Sequence, residues 1–225
     1  MSTVAFENYG QLRGAVADWL MRKDLEAQIP QFIRLAEAEL DKVLRTREMV
    51  KRSRTIAEGQ YIPLPGDWRK ARNVQRVADN RALGLMAFDE IDRYRADIKA
   101  GRRHNPNKGP EFYALVGDTM ELAPSPSPEA PSEIEMIYYA QVPRLREPED
   151  PSEEGVVDTS WLLRGYPSLY LYGALVHSAP FLKDDERLVV WQTLYHQAVM
   201  AANESDADSR FSGAPMMRRG AGFGV

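Results

Sequence analysis

Residues 29–47, IPQFIRLAEAELDKVLRTR, carry Ile29, Ile33, Ala36, Leu40, Val43 and Leu44 at helical spacing, one apolar stripe repeating every three to four residues. Pro30 suits a helix only in its first turn, where the missing amide has no partner to lose. The uninterrupted part, residues 31–46, predicts a helix roughly 24 Å long at 1.5 Å per residue. Phe32 and Leu35 widen the stripe beyond one packing partner. They read either as burial against a neighbouring copy or as core packing within the chain.

Outward from this segment, helical spacing persists at both ends of the chain and gives way to alternation between them. Residues 9–21 predict a first helix, with Asn8 as N-cap, Gln11 completing a capping box, and Leu12, Val16, Trp19 and Leu20 as its stripe. Asp24 marks the break before the second helix. Near the other end, residues 161–181 carry Leu162, Leu169, Tyr172, Val176 and Ala179 as one helix. Lys183, Asp184, Asp185 and Glu186 form a break and an acidic first turn that suits the helix dipole. A last helix follows with Leu188, Trp191, Tyr195, Ala198 and Ala202.

In the middle, residues 55–64 read as a hairpin turning at Glu58 and Gly59, with Ile56 opposite Tyr61. A weaker pair surrounds Asp79 and Asn80 in residues 72–85. Residues 89–99 predict a short charged helix capped by Asp89. Residues 112–123 form the clearest hairpin, with Gly117 and Asp118 at the turn, Leu115 against Met120 and Tyr113 against Leu122. Ile134, Met136 and Tyr138 alternate with Glu133 and Glu135 in a strand over 132–142. Residues 124–131, PSPSPEAP, are expected to be stiff and extended, because each proline fixes its φ angle.

Helices at both ends with strands between predict an α+β fold. The terminal helices form an antiparallel helical bundle, and a β-rich domain, sandwich or barrel-like, is inserted in it. The expected segments are 1–50 for the N-terminal helices, 51–146 for the inserted domain, 147–158 for an acidic linker, 159–211 for the C-terminal helices and 212–225 for a flexible tail.

Composition narrows the function classes. The 225 residues are 44% hydrophobic and 28% charged, an ordinary globular balance. A net charge of −4 supplies no bulk basic field toward DNA or membrane. With no cysteine, disulfides, thiolate zinc sites and cysteine nucleophiles are excluded. No apolar run approaches the length of a membrane span, and MSTVAFENYGQLRG lacks the pattern of a secretory signal, so a soluble protein made in the cytoplasm, without membrane contact, is expected.

Catalytic patterns are sparse. The three histidines are His104, His177 and His196. HExxH, Gly-x-Ser-x-Gly and Walker-type loops are all missing from the sequence, so no catalytic residue, metal site or cofactor is expected. Asp184 and Asp185 are better explained as a helix N-terminus than as metal ligands. Arg45, Arg47, Lys51, Arg52 and Arg54 straddle the end of the second helix. They suit the dipole there, or face DNA or a neighbouring subunit. Lys99, Arg102, Arg103, His104 and Lys108 lie in a Gly- and Pro-bearing loop that is either a solvated surface or a phosphate-facing one. In the tail, SGAPMMRRGAGFGV, apolar Met216, Met217 and Phe223 flank Arg218 and Arg219. This is a disordered end or an arm that orders on a partner, methionine adapting readily to irregular pockets.

The segment LEAQIPQFIRLAEAELDKVLRTREM (residues 25–49) resembles the second-helix signature of head–tail adaptor (connector) proteins of short-tailed bacteriophages. The resemblance continues in order through GQYIPLPGDW (59–68), PEFYALVGDTMELAPSP (110–126), IYYAQVPRL (137–145) and TSWLLRGYPSLYLYGALVHSAPFLKDDERLVVWQTLYHQAV (159–199). It implies a structural virion protein rather than an enzyme. Such adaptors form a ring, usually dodecameric, on the portal protein at the head–tail junction. The ring extends the DNA channel, through which packaged DNA passes without sequence-specific binding, and carries tail nozzle or fibre proteins. Assembly takes place in the host bacterial cytoplasm. The resemblance also implies that Met216, Met217, Arg218, Arg219 and Phe223 belong to a portal-docking tail. Another neck or tail-completion protein is the nearest alternative; a DNA-binding regulator is the alternative from a different class.

Overall fold

The computed structural model describes residues 6–22, 24–103, 109–146, 156–182 and 185–211, with the backbone alone at 156, 185 and 206–211. The fold is α+β and divides into two compact units. One comprises Met1–Glu48 with Val142–Val225, the other Met49–Gln141. The predicted tail residues Met216, Met217, Arg218, Arg219 and Phe223, the basic loop at 104–108, most of the acidic linker and the break at Lys183 and Asp184 lie outside the described residues.

In the first unit, α1 spans Tyr9–Leu20. The Asn8 side chain accepts the Gln11 amide at 2.9 Å, and Gln11 Oε1 accepts the amide of Glu7 at 2.8 Å. The return bond thus reaches one residue further back than a capping box requires. Leu12, Val16 and Leu20 are buried, whereas Trp19 is 42% exposed and meets Tyr172 edge-on. Helix α2, Ile29–Val43, begins with Pro30 in its first turn and is shorter than predicted, since Leu44 is already extended. Its end is closed from far away. Asn203 Oδ1 accepts the Arg45 amide at 3.0 Å, and Asn203 Nδ2 donates to the Val43 carbonyl.

The single helix expected over 161–181 is two, α4 (Trp161–Gly165) and α5 (Pro167–Leu182). Pro167 has no amide to continue the ladder and drives the preceding residue out of the helical region; Tyr166 sits at φ −139, ψ 58. Helix α6, Asp185–Phe211, follows. At Gly173 the chains of α2, α5 and α6 come so close that a Cβ would lie 2.9 Å from Ala36 Cβ and 3.3 Å from Tyr195 Cε2. Here the missing side chain sets the packing distance.

The second unit holds β1 (Val50–Ala57), β2 (Tyr61–Pro63), β3 (Trp68–Arg76), β4 (Gly84–Leu85), α3 (Phe88–Lys99), β5 (Phe112–Val116), β6 (Thr119–Ala123) and β7 (Ser132–Ala140). They make two open sheets, ordered β1-β7-β3 and β2-β6-β5-β4; among the described residues neither closes into a barrel. Both sheets feed one core, with Val74, Ile134, Met136 and Tyr138 from the first and Ile62, Tyr113, Met120 and Leu122 from the second. Helix α3 covers the second sheet, burying Ile91 and Tyr94 against Ala114 and Ala123. Its N-cap is Ala87 rather than Asp89, which lies inside the first turn. There its charge still favours the dipole.

The hairpin of β5 and β6 has the expected register, Leu115↔Met120 and Tyr113↔Leu122, and Gly117 takes φ 57 at the turn. The hairpin expected over 55–64 does not form. Ile56 pairs with Glu133 of β7 and Tyr61 with Glu121 of β6, so the chain changes sheets at the Glu58–Gly59 turn. The eight residues of β1 find a full-length partner in the nine of β7, against only three in β2. The Asp79–Asn80 turn does form, with Asn80 at φ 53 and the Arg76 amide donating to the Arg81 carbonyl. Its second arm then leaves to pair in parallel with β5. The proline-rich stretch is not extended throughout, because Ser127 and Ala130 exchange backbone bonds across a tight turn.

Candidate functional site

Helix α2 presents two acids one turn apart that look solvent-facing in the sequence and are buried in the structure. Glu37 and Asp41 are 5% and 7% exposed. The Leu145 amide donates to Glu37 Oε1 and the Val142 amide to Asp41 Oδ1, both at 2.7 Å. The helix therefore grips the backbone where the chain re-enters the first unit, at Val142 and at Leu145 of β8 (Arg144–Leu145), the strand that pairs in parallel with β9 (Val156–Val157). Burial pushes the Glu37 carboxyl up to about 7, against the opposing pull of the Leu145 amide and of Arg144. The fully buried Tyr170 hydroxyl, raised by the same desolvation and by Glu37, completes this interior. Sequence reasoning missed these two acids; the only signal was a pair of carboxylates at i and i+4 on a helix otherwise tightly apolar.

The basic residues singled out from the sequence are not one cluster. Arg45 folds back on its own helix end, its guanidinium donating to the carbonyls of Asp41, Lys42 and Leu44. Arg47 pairs with Glu48 at 3.1 Å. Lys51, Arg52 and Arg54 lie on β1 rather than on a helix terminus. Arg54 meets Glu135 at 2.8 Å and Arg52 approaches the same carboxylate at 3.8 Å. The hydrogen bond from Arg54 above all, helped by the charge of Arg52 and by Gln75, holds that carboxyl below the usual range. Lys51 points to the other face of the sheet, onto Asp67, which also accepts from the Tyr138 hydroxyl.

Phe32 is 4% exposed, its ring edge-on to Phe181 at 5.8 Å within its own unit, whereas Leu35 is 44% exposed. Among the larger apolar side chains of the first unit left at the surface are Phe181, Val189, Val190 and Met200. His177 Nε2 lies 2.9 Å from Glu39 Oε2, and His196 is exposed beside Tyr195. Among the described residues no three His, Asp or Glu side chains converge to hold a metal, and no helix is long and apolar enough to cross a membrane. What the surface offers is apolar and mixed-charge faces of the kind that meet other macromolecules.

Comparison with curated proteins gave no match. A family model described as SU10 adaptor protein matches residues 7–219. It spans residues of both compact units, so it bears on nearly the whole sequence rather than on one motif. The chain belongs to the SU10 adaptor protein family, a family of structural phage adaptors.

Proposed function

We propose that the chain is a head–tail adaptor of a short-tailed phage virion. It assembles as a ring, a dodecamer on the portal protein, extends the DNA channel and carries tail nozzle or fibre proteins below. The observation that carries this reading is the phage adaptor family match over 7–219. In it the helices of the first unit form an antiparallel bundle that frames the channel, and the residues after 211 dock on the portal through Met216, Met217, Arg218, Arg219 and Phe223. Of the interface or DNA-facing candidates Phe32, Leu35, Arg45, Arg47 and Arg52, the exposed Leu35 and Arg52 are the better placed. Phe32 is already packed and Arg45 is turned onto carbonyls.

Assembly, not turnover, is the mechanism. A head-to-tail contact repeated by rotation closes a ring. Weak contacts then add up, because each subunit docking beside another on a preformed platform binds in an effectively intramolecular step. The net charge of −4 suits a conduit through which DNA slides without being held. The subunit is made in the bacterial cytoplasm and ends in the virion.

The test is size-exclusion chromatography with light scattering on the purified chain, alone and mixed with portal rings of the same phage. A monomer that joins portal in a fixed ring stoichiometry is the expected result. A chain that ignores portal at every salt concentration sinks the placement. Tight DNA binding that falls steeply with salt would point instead to a DNA-binding regulator.

A further inference from the structure

Residues 188–203 of α6, LVVWQTLYHQAVMAAN, contain no Asp, Glu, Lys or Arg, in a chain where those residues make up 28%. Helix α5 is equally uncharged, but it is buried, with Leu169, Tyr170, Leu171, Ala174 and Leu175 all in the core. Helix α6 is different. It buries one stripe, Trp191, Tyr195 and Ala202, and leaves Val189 at 66%, Val190 at 57% and Met200 at 61% exposure. The uncharged stretch is roughly 24 Å long at 1.5 Å per residue. A helix face meant for water carries charge. A face of aliphatic, Met, Thr and Gln residues with Glu186, Arg187 and Glu204 only at its ends has the composition of an interface centre with a polar rim.

The same unit also has a concave surface that could receive the central side chains of that face. Between α1 and α2 lies a groove of about 210 Å³ lined by Gly10, Gly14, Ala17 and Ile29, together with Arg13 and Glu26. Helices α1 and α6 meet α5 at different residues, Trp19 on Tyr172 for the first and Tyr195 at Gly173 for the second, so ridge and groove are distinct surfaces of one chain. Two distinct complementary surfaces are what a head-to-tail contact needs. Their charges also match in kind. The groove carries one base and one acid, and Glu186 and Arg187 stand one turn from Val190.

We propose that the exposed α6 face of one copy, centred on Val190, seats in the α1–α2 groove of the next copy. This contact rests on the ring reading and names the surfaces that build it. The chain has no cysteine, so engineered thiols report it without background. An added Cβ at Gly14 meets nothing within 4 Å, and Val190 is exposed.

The test uses full-length Gly14→Cys, Val190→Cys and the double variant, mildly oxidised both alone at high concentration and on portal rings. The double variant is expected to give a covalent ladder past the dimer, and each single variant none. Maleimide should modify Val190→Cys rapidly in the monomer and about ten-fold more slowly in rings. Four results overturn the contact. Dimers from Val190→Cys alone mean a two-fold pairing of α6 faces. Slow labelling already in the monomer means residues 212–225 of the same chain cover the face. Rings that leave the thiol fully reactive mean the face is unoccupied, the ring reading standing. Absence of wild-type rings by light scattering, with no ladder, removes both.

Discussion

Glu37→Gln separates the two roles of a buried carboxylate, hydrogen-bond acceptor and charge. The glutamine carbonyl still accepts the Leu145 amide that Glu37 holds at 2.7 Å, but it never ionises. The groups acting on Glu37 are the Leu145 amide, Arg144, Asp41 and Arg34, with the Tyr170 hydroxyl coupled to it. Desolvation dominates and raises the carboxyl from 4.5 to about 7. A carboxyl raised on folding stabilises fully below its unfolded value of 4.5, and that contribution is lost as pH climbs through about 7. Above it the folded protein holds a buried negative charge that the unfolded chain keeps in water. At 1.36 kcal/mol per pH unit the full cost is on the order of 3 kcal/mol. The side chain is almost entirely buried, so solvent screening removes little of it.

Urea denaturation of wild type and Glu37→Gln at intervals from pH 5 to 8.5 measures the effect. Near pH 5 the two should be within about 1 kcal/mol of each other, because both present a neutral acceptor. Toward pH 8.5 the variant should gain on the wild type by on the order of 2–3 kcal/mol. Glu37→Ala should instead lose stability at every pH, since it strands the Leu145 amide. A stability difference between wild type and Glu37→Gln that stays flat across the range would refute the reasoning.

Two further outcomes follow from close contacts. Gly173→Ala gains about 1 kcal/mol of helix propensity but places a Cβ 2.9 Å from Ala36 Cβ, overpacking that costs about 1–3 kcal/mol; a lower urea midpoint is expected, and a higher one would show that α2 and α5 separate easily. Asn203→Ala removes both bonds that close α2, to the Arg45 amide and the Val43 carbonyl, at roughly 0.5–1.5 kcal/mol each. Faster hydrogen exchange at the Arg45 amide should accompany the loss, and unchanged exchange there would show that α2 ends without its help.

Local sequence signals determine structure where the deciding interaction is itself local. The Gly117 turn and the alternation beside it fix the β5–β6 register within a dozen residues. The turn at Glu58 and Gly59 is equally visible, yet it only says that the chain reverses; β1 takes a partner about eighty positions away. The end of α2 depends on Asn203, which lies 158 residues beyond Arg45, and nothing near Val43 announces it. The break at Pro167 was legible in principle, since a proline in mid-helix both removes an amide and constrains its predecessor, but the apolar spacing on either side masked it. For the candidate surfaces, spacing marked Phe32 and Leu35 alike, and only packing shows one buried and one exposed. Glu37 and Asp41 stayed hidden because a carboxylate pair at i and i+4 has the same appearance whether it faces water or a backbone amide.

Helices α5 and α6 carry this difference between pattern and environment furthest. Residues 167–182 and 188–203 are both free of Asp, Glu, Lys and Arg, and apolar spacing alone assigns both to the core. The structure buries α5 almost all round and α6 along one stripe. Charge-free surface on a solvated helix gives up the solubility that charged side chains provide, while the stability of the single chain gains nothing from it. The stripe of Trp191, Tyr195 and Ala202 already satisfies the packing on α5, so among the described residues nothing in one copy accounts for Val189, Val190 and Met200. Under the proposed head-to-tail contact they are explained by the next copy. Val190→Glu should then leave the monomer's stability within about 0.5 kcal/mol, as for other exposed positions, while abolishing rings on portal. A variant that loses both, or neither, would show that the α6 face answers to something other than a neighbouring subunit.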